Sequence, residues 1–206
     1  MKYILLLISF IIQLNAQSQK IYTSKKDISD IKEIIFYGYD FSHFKLADAK
    51  RLNDAGVKDY LPAWVGYLIK NMDERYFARK LKTSNIVFDF QYTGKVIQML
   101  DEKDIASLTK NTISPDSIQS IIDNYQISQK EGIGFSVIVE CFDRDKHTSS
   151  AYFTFFDIAT KKIIMSDYFS TNNPSGNGLT KYWGKGFLDT VDVYISAEYR
   201  YSLKRK

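Results

Sequence analysis

The sequence predicts an α+β domain built on a single mixed, largely antiparallel sheet of five to six strands, with two to three packed helices and a long C-terminal helix. Segments of strand length with alternating or continuously apolar residues recur along the chain. Other segments carry apolar residues at helical spacing. The 15 Tyr and 14 Phe are concentrated in the strand-like segments. Aromatic residues suit a pleated, half-buried surface, so this distribution also favours a wide sheet.

The chain begins with a sequence typical of a secretory signal peptide. Lys2 gives a positive start, residues 3–14 are almost wholly apolar, and Ala16 offers a small residue at a cleavage site. A helix that spans a bilayer needs about 20 apolar residues, which is longer than this run, so a retained anchor is the weaker interpretation. A buried N-terminal strand or helix is the other alternative. We expect residues 1–16 to be removed and residues 17–206 to form one domain without a membrane anchor.

Composition and charge limit the classes of molecule that the protein is expected to bind. The net charge of +4, from 28 basic and 24 acidic residues, is too small to indicate nucleic acid binding. The single cysteine, Cys141, cannot form an internal disulfide, and no cysteine follows the apolar run to be lipidated. The length suits one domain, with two small domains as the alternative. A cluster of cations near the C-terminus would suit contact with anionic lipid or polymer, or a solvated helix end; its members are Arg200, Lys204, Arg205 and Lys206.

The first predicted strand covers residues 31–41. Its apolar residues alternate, which places Ile35, Tyr37 and Tyr39 on one face. Residues 42–59 lose this pattern and form a long connection, and such connections are often functional.

A helix and a second strand follow this connection. Asp59 is the predicted cap of a helix that continues to about residue 79, with Pro62 in its first turn. Residues 85–92 alternate again and form the second strand. Residues 93–111 are ambiguous between a short helix and a further strand.

The next helix has the clearest start signal of the chain. Ser114 is a typical cap, Pro115 suits the first helical turn, and Asp116 favours the helix dipole. The apolar spacing that follows predicts a helix to about Ile127.

The strongest sheet signal is a three-stranded meander followed by the closing helix. Asp157 opens the second turn of the meander, where its side chain can bond to the nearby backbone. A loop over residues 172–178 leads to a helix over residues 179–203, whose first turns are weakened by Gly184 and Gly186. The predicted strands of the meander are 135–144, 150–157 and 162–169.

Two segments of the last third carry a combination of short motifs. They read YFTFFDIATKK over residues 152–162 and GNGLTKYWG over residues 176–184. The combination of a strand ending in Phe-Asp, a Thr-Lys turn and a glycine-led segment before Tyr-Trp resembles exported, uncharacterised proteins of Bacteroidetes-type bacteria. The resemblance covers mainly residues 150–185. It implies an envelope or secreted location and no known activity.

A weaker similarity concerns the fold alone. The strand pair around a D-x-x-T turn before a closing helix is similar to the small α+β domains of curli-secretion and penicillin-binding-protein-activator lipoproteins. This chain lacks their lipidated cysteine and their Gly-rich surroundings. Function does not follow from such a fold similarity.

Carboxylates in apolar strand segments offer the best case for catalysis. Asp40, Asp89 and Glu140 would suit an acid–base pair if they converged in one pocket. The alternative is a solvated or salt-bridged position, because antiparallel sheets often keep one face wet.

Other catalytic chemistries have little support in the sequence. Cys141 lies in a strand where a buried, inert thiol is the usual state. His43 and His147 have no second His or Cys at metal-ligand spacing. No G-x-S-x-G nucleophile elbow is present. We therefore assign no catalytic residue, no metal ligand and no cofactor.

The loop before the closing helix is a candidate anion or glycan site. Free backbone N–H groups and the helix dipole at a helix start attract anions, although the spacing is not that of a nucleotide-binding loop. The alternative is a structural role, in which the glycines turn the chain, Asn177 caps the helix and Trp183 docks it on the sheet. The candidate binding residues are Asn173, Asn177, Gly178, Lys181 and Trp183.

These observations together predict an exported protein, periplasmic or extracellular. The expected role is a non-catalytic binding or accessory domain that acts on another envelope component, a protein or a glycan. A carboxylate-dependent hydrolase and an anion- or glycan-binding protein are the alternatives.

Overall fold

The structure, a computed structural model, describes residues 23–47, 56–107, 113–172, 174 and 176–205. The described residues form one mixed sheet of seven strands and eight α-helical segments, so the predicted α+β class is confirmed. The predicted signal peptide lies outside them. The strands are β1 (Glu33–Asp40), β2 (Lys45–Ala47), β3 (Asn85–Phe88), β4 (Ala106–Ser107), β5 (Ile133–Asp143), β6 (Thr148–Asp157) and β7 (Ile163–Thr171).

One helix lies before these strands, and the others lie between and after them. A π-helical turn, Tyr194–Glu198, joins the last two into one continuous closing helix, as the sequence predicted over residues 179–203. Among the described residues, no helix is long and apolar enough to cross a bilayer. The helices are α1 (Lys25–Asp30), α2 (Val57–Asn71), α3 (Glu74–Leu81), α4 (Gln91–Met99), α5 (Glu102–Ile105), α6 (Pro115–Asp123), α7 (Leu179–Val193) and α8 (Tyr199–Lys204).

The strand β5 organises the sheet. Its whole length pairs with β6 on one side, so β1 and β2 share its other side, β1 against residues 133–138 and β2 against residues 141–143. β3 pairs with β1 and β4 pairs with β2 in the same arrangement. The seven strands therefore occupy five positions across the sheet.

The two longest pairings, β5–β6 and β6–β7, are antiparallel and form the predicted meander. The four shorter pairings among β1 to β5 are parallel. Parallel neighbours need a crossover that returns the chain to the same end of the sheet, and α2 with α3 supplies one between β1 and β3.

Two predicted elements differ from the structure in their bounds. The single helix predicted over residues 59–79 is interrupted, because Asp73 accepts a hydrogen bond from the Tyr76 backbone N–H at 2.8 Å and begins α3. Asp59 is not the cap of α2. The Glu102 carboxylate, from α5, accepts from the N–H groups of Val57 and Lys58 at 2.6 and 2.9 Å.

The ambiguous middle of the chain is mostly helical. The predicted second strand ends at Phe88, and Gln91 already belongs to α4. The start of α6 at Ser114 and Pro115 is confirmed, with Ser114 Oγ accepting from Ser117 N–H at 3.2 Å, but the helix ends at Asp123. The Asp157 turn is also confirmed, since its carboxylate accepts from both the N–H and the hydroxyl of Thr160.

The two faces of the sheet carry separate apolar clusters. The larger cluster packs α2, α3 and the closing helix against one face. The smaller cluster packs α6 against the other face, around Tyr37, Ile138 and Phe156.

Gly38 changes the face on which the end of β1 lies. Its φ is +92°, and the register of β1 on β5 shifts between Phe36 and Tyr39. Tyr39 therefore joins Phe36 in the larger cluster, whereas the simple alternation predicted it beside Ile35 and Tyr37. A Cβ at Gly38 would lie 2.7 Å from the Phe90 ring, so only glycine fits this bulge.

Candidate functional site

The loop before α7 and the first turns of α7 present three of the five predicted binding residues to solvent. Asn177, Gly178 and Lys181 are exposed, and Asn173 lies outside the described residues. Gly178, at φ +81°, occupies the cap position of α7, which has no side-chain cap hydrogen bond, so Asn177 does not cap the helix. Trp183 is 1% exposed and stacks on Phe142 with ring centroids 4.9 Å apart. The burial of Trp183 favours the alternative role, in which Trp183 docks α7 on the sheet.

The first turn of α7 is tied to the β5–β6 hairpin tip. The Tyr182 hydroxyl lies 2.8 Å from His147 Nδ1, and the Arg144 guanidinium lies 6.0 Å from the Tyr182 ring centroid. His147 is thus a partner of the closing helix. His43, the other histidine, contacts the Ser42 hydroxyl at 2.9 Å.

Asp40, one of the three candidate carboxylates, is fully buried. It accepts hydrogen bonds from the Tyr125 hydroxyl at 2.8 Å and from the Ser42 backbone N–H at 2.7 Å. The Ser136 hydroxyl lies 2.6 Å from the same Tyr125 oxygen. Burial, and then the neighbouring Asp40, raise the pKa of Tyr125, so its hydroxyl stays a donor to this carboxylate.

Asp89 and Glu140 have separate partners on the same side of the sheet. Asp89 accepts from the Gln129 side chain at 3.1 Å. Glu140 is fully buried, and it accepts from the Ser150 hydroxyl at 2.8 Å and from the Ile113 backbone N–H at 3.2 Å. All three carboxylates lie on the side covered by α6, but each is held by its own donors. Asp40 and Glu140 are closed to solvent, so this set does not form an open acid–base site.

Cys141, a further candidate, is buried, as predicted. His43 and His147 are exposed. No group of three or more His, Cys, Asp or Glu within the described parts of the chain could hold a metal ion.

A groove lined by basic residues lies beside the end of the closing helix. It runs between α1, the end of α3 and α8, and its volume is about 520 Å³. We call it the basic groove, and its lining residues include no carboxylate. Five of them are cations from three distant segments of the chain: Lys25, Lys26, Lys82, Arg200 and Lys204.

Hydrogen bonds at the ends of helices hold the walls of the basic groove. Ser24 and Asp27 form a reciprocal capping box at the start of α1. The Lys25 ammonium donates to the carbonyls of Ser202 and Arg205 at 3.0 and 3.3 Å, so it joins α1 to the end of α8. Lys82 ends α3 in the left-handed conformation, at φ +58°.

The π-helical turn determines which side chain forms the floor. Tyr194 and Tyr199 are five residues apart and would point about 140° apart on a regular α-helix. A π-helical turn contains more residues than an α-helical turn, which brings residues five apart closer to one face, and both tyrosines are buried against the sheet. Tyr194 stacks on Phe153 and Tyr199 stacks on Phe155. Tyr199 also lines the basic groove.

The charges of the basic groove are largely uncompensated. Lys26, Lys82, Arg200 and Lys204 are exposed, and none has an ion pair or a side-chain hydrogen bond within the part of the chain that the structure describes. The Tyr199 hydroxyl is buried and likewise has no hydrogen-bond partner there. Burial raises the pKa of Tyr199, so the hydroxyl keeps its proton. A buried hydroxyl without an acceptor is uncommon in proteins and calls for a physical reason.

Only part of the basic groove can be predicted from the sequence. Arg200 and Lys204 belong to the cationic C-terminal cluster, which would suit contact with anionic lipid or polymer. Lys25, Lys26 and Lys82 come from elsewhere in the chain, and no motif or spacing connects them to α8.

Comparison of the chain with protein-family models, with curated proteins and with solved structures found no match.

Proposed function

We propose that this chain is an exported, non-catalytic binding domain that holds an anionic group of another envelope component in the basic groove. The observation that carries the proposal is the convergence of five cations on one concave surface without a lining carboxylate. Clefts lined by charge of one sign focus the electrostatic potential and raise the local concentration of oppositely charged ligands.

Binding is favoured over catalysis by the state of the polar side chains. Asp40 and Glu140 are buried and already accept hydrogen bonds from neighbouring residues. By contrast, four cations of the basic groove have no partner within the described residues. A surface with unsatisfied charge and no available acid or base suits recognition.

The basic groove is also the better of the two anion-site candidates. In the loop before α7 and the first turns of that helix, Lys181 is the one cation among the predicted binding residues, and Trp183 is buried. The basic groove combines five cations with a concavity. Several charges around one cavity bind an anion more strongly than one exposed lysine, whose interactions are screened by salt.

Export is proposed from the sequence of residues 1–16, which has the three regions of a signal peptide. Amino-terminal sequencing of the protein recovered from the periplasm or medium tests this directly. A mature chain that begins at Gln17 supports export, and a chain that retains Met1 in the cytoplasm contradicts it.

Retention on immobilised heparin, used as a general polyanion, tests the proposed function. We expect the double variant Lys82→Gln/Arg200→Gln to bind about tenfold more weakly and to elute at lower salt. The matched control, Lys70→Gln/Lys181→Gln, removes the same net charge from exposed positions outside the basic groove. Equal loss in both pairs would reduce the effect to net charge, and loss in the control pair alone would move the site to the loop before α7.

A further inference from the structure

The floor and the rim of the basic groove differ in chemistry. The rim carries the exposed cations Lys26, Lys82, Arg200 and Lys204. The floor contains Leu81, which is 4% exposed, the ring of Tyr199, which is 1% exposed, and the partly buried Leu203. A ligand that is charged throughout would make no use of an apolar floor. A ligand with an anionic head and an apolar part would contact both.

The buried Tyr199 hydroxyl is a second and independent observation. It belongs to a side chain of the floor and has no acceptor within the described residues. Leaving a buried hydroxyl unpaired costs free energy, of order 1–3 kcal/mol for a neutral group. A carboxylate or phosphate oxygen held among the rim cations would give this donor an acceptor.

The shape of the basic groove favours a single molecule over a flat surface. Three separate helices form its walls, and its volume of about 520 Å³ lies within the range of about 300–1,000 Å³ common for small-molecule sites. A membrane surface would contact the rim cations but not the recessed floor.

We propose that the ligand of the basic groove is a monomeric anionic amphiphile, with one carboxylate or phosphate head and one alkyl chain. This inference rests on the proposed function and names its ligand class. The rim cations and the Tyr199 hydroxyl bind the head, and Leu81 and Leu203 contact the chain. The same chemistry is offered by a free fatty acid and by a monoalkyl phosphate.

Calorimetric titration of the protein in its natural processed form tests the ligand class. The probes are dodecyl phosphate and dodecanoate, each below its critical micelle concentration, and the comparison of the two identifies the preferred head. Inorganic phosphate serves as the head alone, and dodecyl maltoside as the same chain with a neutral head. We expect at least one anionic probe to bind about tenfold or more tightly than either control compound.

Three variants test the assigned roles. Lys82→Gln/Arg200→Gln is expected to weaken binding of the anionic probe about tenfold. Leu203→Ala should weaken the probe several-fold, because Leu203 is assigned to contact its alkyl chain. Tyr199→Phe keeps the ring and removes the hydroxyl, so it should weaken the probe several-fold without loss of stability. Tyr201→Phe is the matched control, since Tyr201 is 61% exposed on the same helix and does not line the basic groove.

The outcomes separate this inference from the proposed function. If dodecyl phosphate and dodecanoate bind no tighter than inorganic phosphate while heparin is still retained, the amphiphile is overturned and polyanion binding stands. If heparin is not retained either, the proposed function fails as well. Binding to vesicles of anionic phospholipid without binding of the monomeric probes would overturn the inference in favour of a membrane surface.

Discussion

Tyr125 joins β1 to β5 through a single hydroxyl. The Tyr125 hydroxyl donates to the Asp40 carboxylate and its oxygen lies 2.6 Å from the Ser136 hydroxyl, and all three side chains are buried. In such a network each group satisfies another that would otherwise be buried without a partner. Tyr125 therefore stabilises the fold as a hydrogen-bond donor, in addition to the packing of its ring in the apolar core.

We expect Tyr125→Phe to lower the free energy of unfolding by about 1–3 kcal/mol, because Asp40 would lose its side-chain donor in a site closed to water. Urea unfolding followed by circular dichroism measures the change. Tyr201→Phe, at an exposed position, should change stability by less than about 0.5 kcal/mol. Equal stability of the two variants would show that the Tyr125 hydroxyl has no structural role.

At the scale of elements, the start of α7 is packed unusually close to its neighbours. A Cβ at Gly186 would lie 2.6 Å from the Pro174 Cα, and a Cβ at Gly184 would lie 3.4 Å from the Tyr67 ring. The two glycines weaken helix propensity, as the sequence predicts, but they allow α7 to approach the loop before it and α2. Helix propensity is therefore lower at Gly184 and Gly186, where close packing leaves little room for a side chain.

Two glycine-to-alanine variants separate propensity from packing. Alanine favours a helix over glycine by about 1 kcal/mol at both Gly66 and Gly186. At Gly66, on α2, a Cβ would meet no atom within 4 Å, so Gly66→Ala should raise stability by up to about 1 kcal/mol. Gly186→Ala should instead lower it by about 1–3 kcal/mol, because its Cβ meets backbone. Thermal unfolding of both variants measures these changes. A Gly186→Ala variant that is more stable than the unmodified chain would contradict the close contact.

Elements with local signals were predicted from the sequence, and those that depend on distant residues were not. The meander follows from alternation within one continuous stretch, and α6 follows from Ser114 and Pro115. The interruption at Asp73, the capping of α2 by Glu102 and the shift at Gly38 depend on tertiary contacts that no window of sequence contains. The basic groove belongs to the second group, since its cations come from three distant segments.

For the molecule as a whole, burial of tyrosine hydroxyls links stability to alkaline pH. Burial raises the pKa of Tyr39, Tyr125, Tyr194 and Tyr199 above the ordinary value. In the unfolded chain these groups ionise near pH 10, whereas in the folded protein they keep their protons. The unfolded state therefore binds fewer protons above about pH 10, and unfolding becomes more favourable as pH rises. Below that pH the contribution of these tyrosines to stability is fully present.

We expect the free energy of unfolding to fall above about pH 10 by roughly 1.4 kcal/mol per pH unit for each buried tyrosine. Urea unfolding at stepped pH measures the slope. Tyr39→Phe is the informative variant, because the Tyr39 hydroxyl has no partner among the described residues. Near neutral pH the variant should have almost the same free energy of unfolding as the unmodified chain. At alkaline pH its free energy of unfolding should fall less steeply, by the contribution of one tyrosine. A slope equal to that of the unmodified chain would contradict the prediction.

The arrangement of strands around β5 also sets an order of assembly. The hairpins of β5, β6 and β7 close over short turns, whereas β1 pairs with a strand that begins at Ile133, after most of the helices. Closing a long loop lowers the entropy of the chain before stabilising contacts have formed. Folding should therefore begin in the meander, where the loops are short. Pulsed hydrogen exchange should detect protected amides in β5 to β7 before those in β1. Early protection of β1 would contradict this order. A chain halted in synthesis before residue 133 would lack the strand on which both β1 and β2 depend.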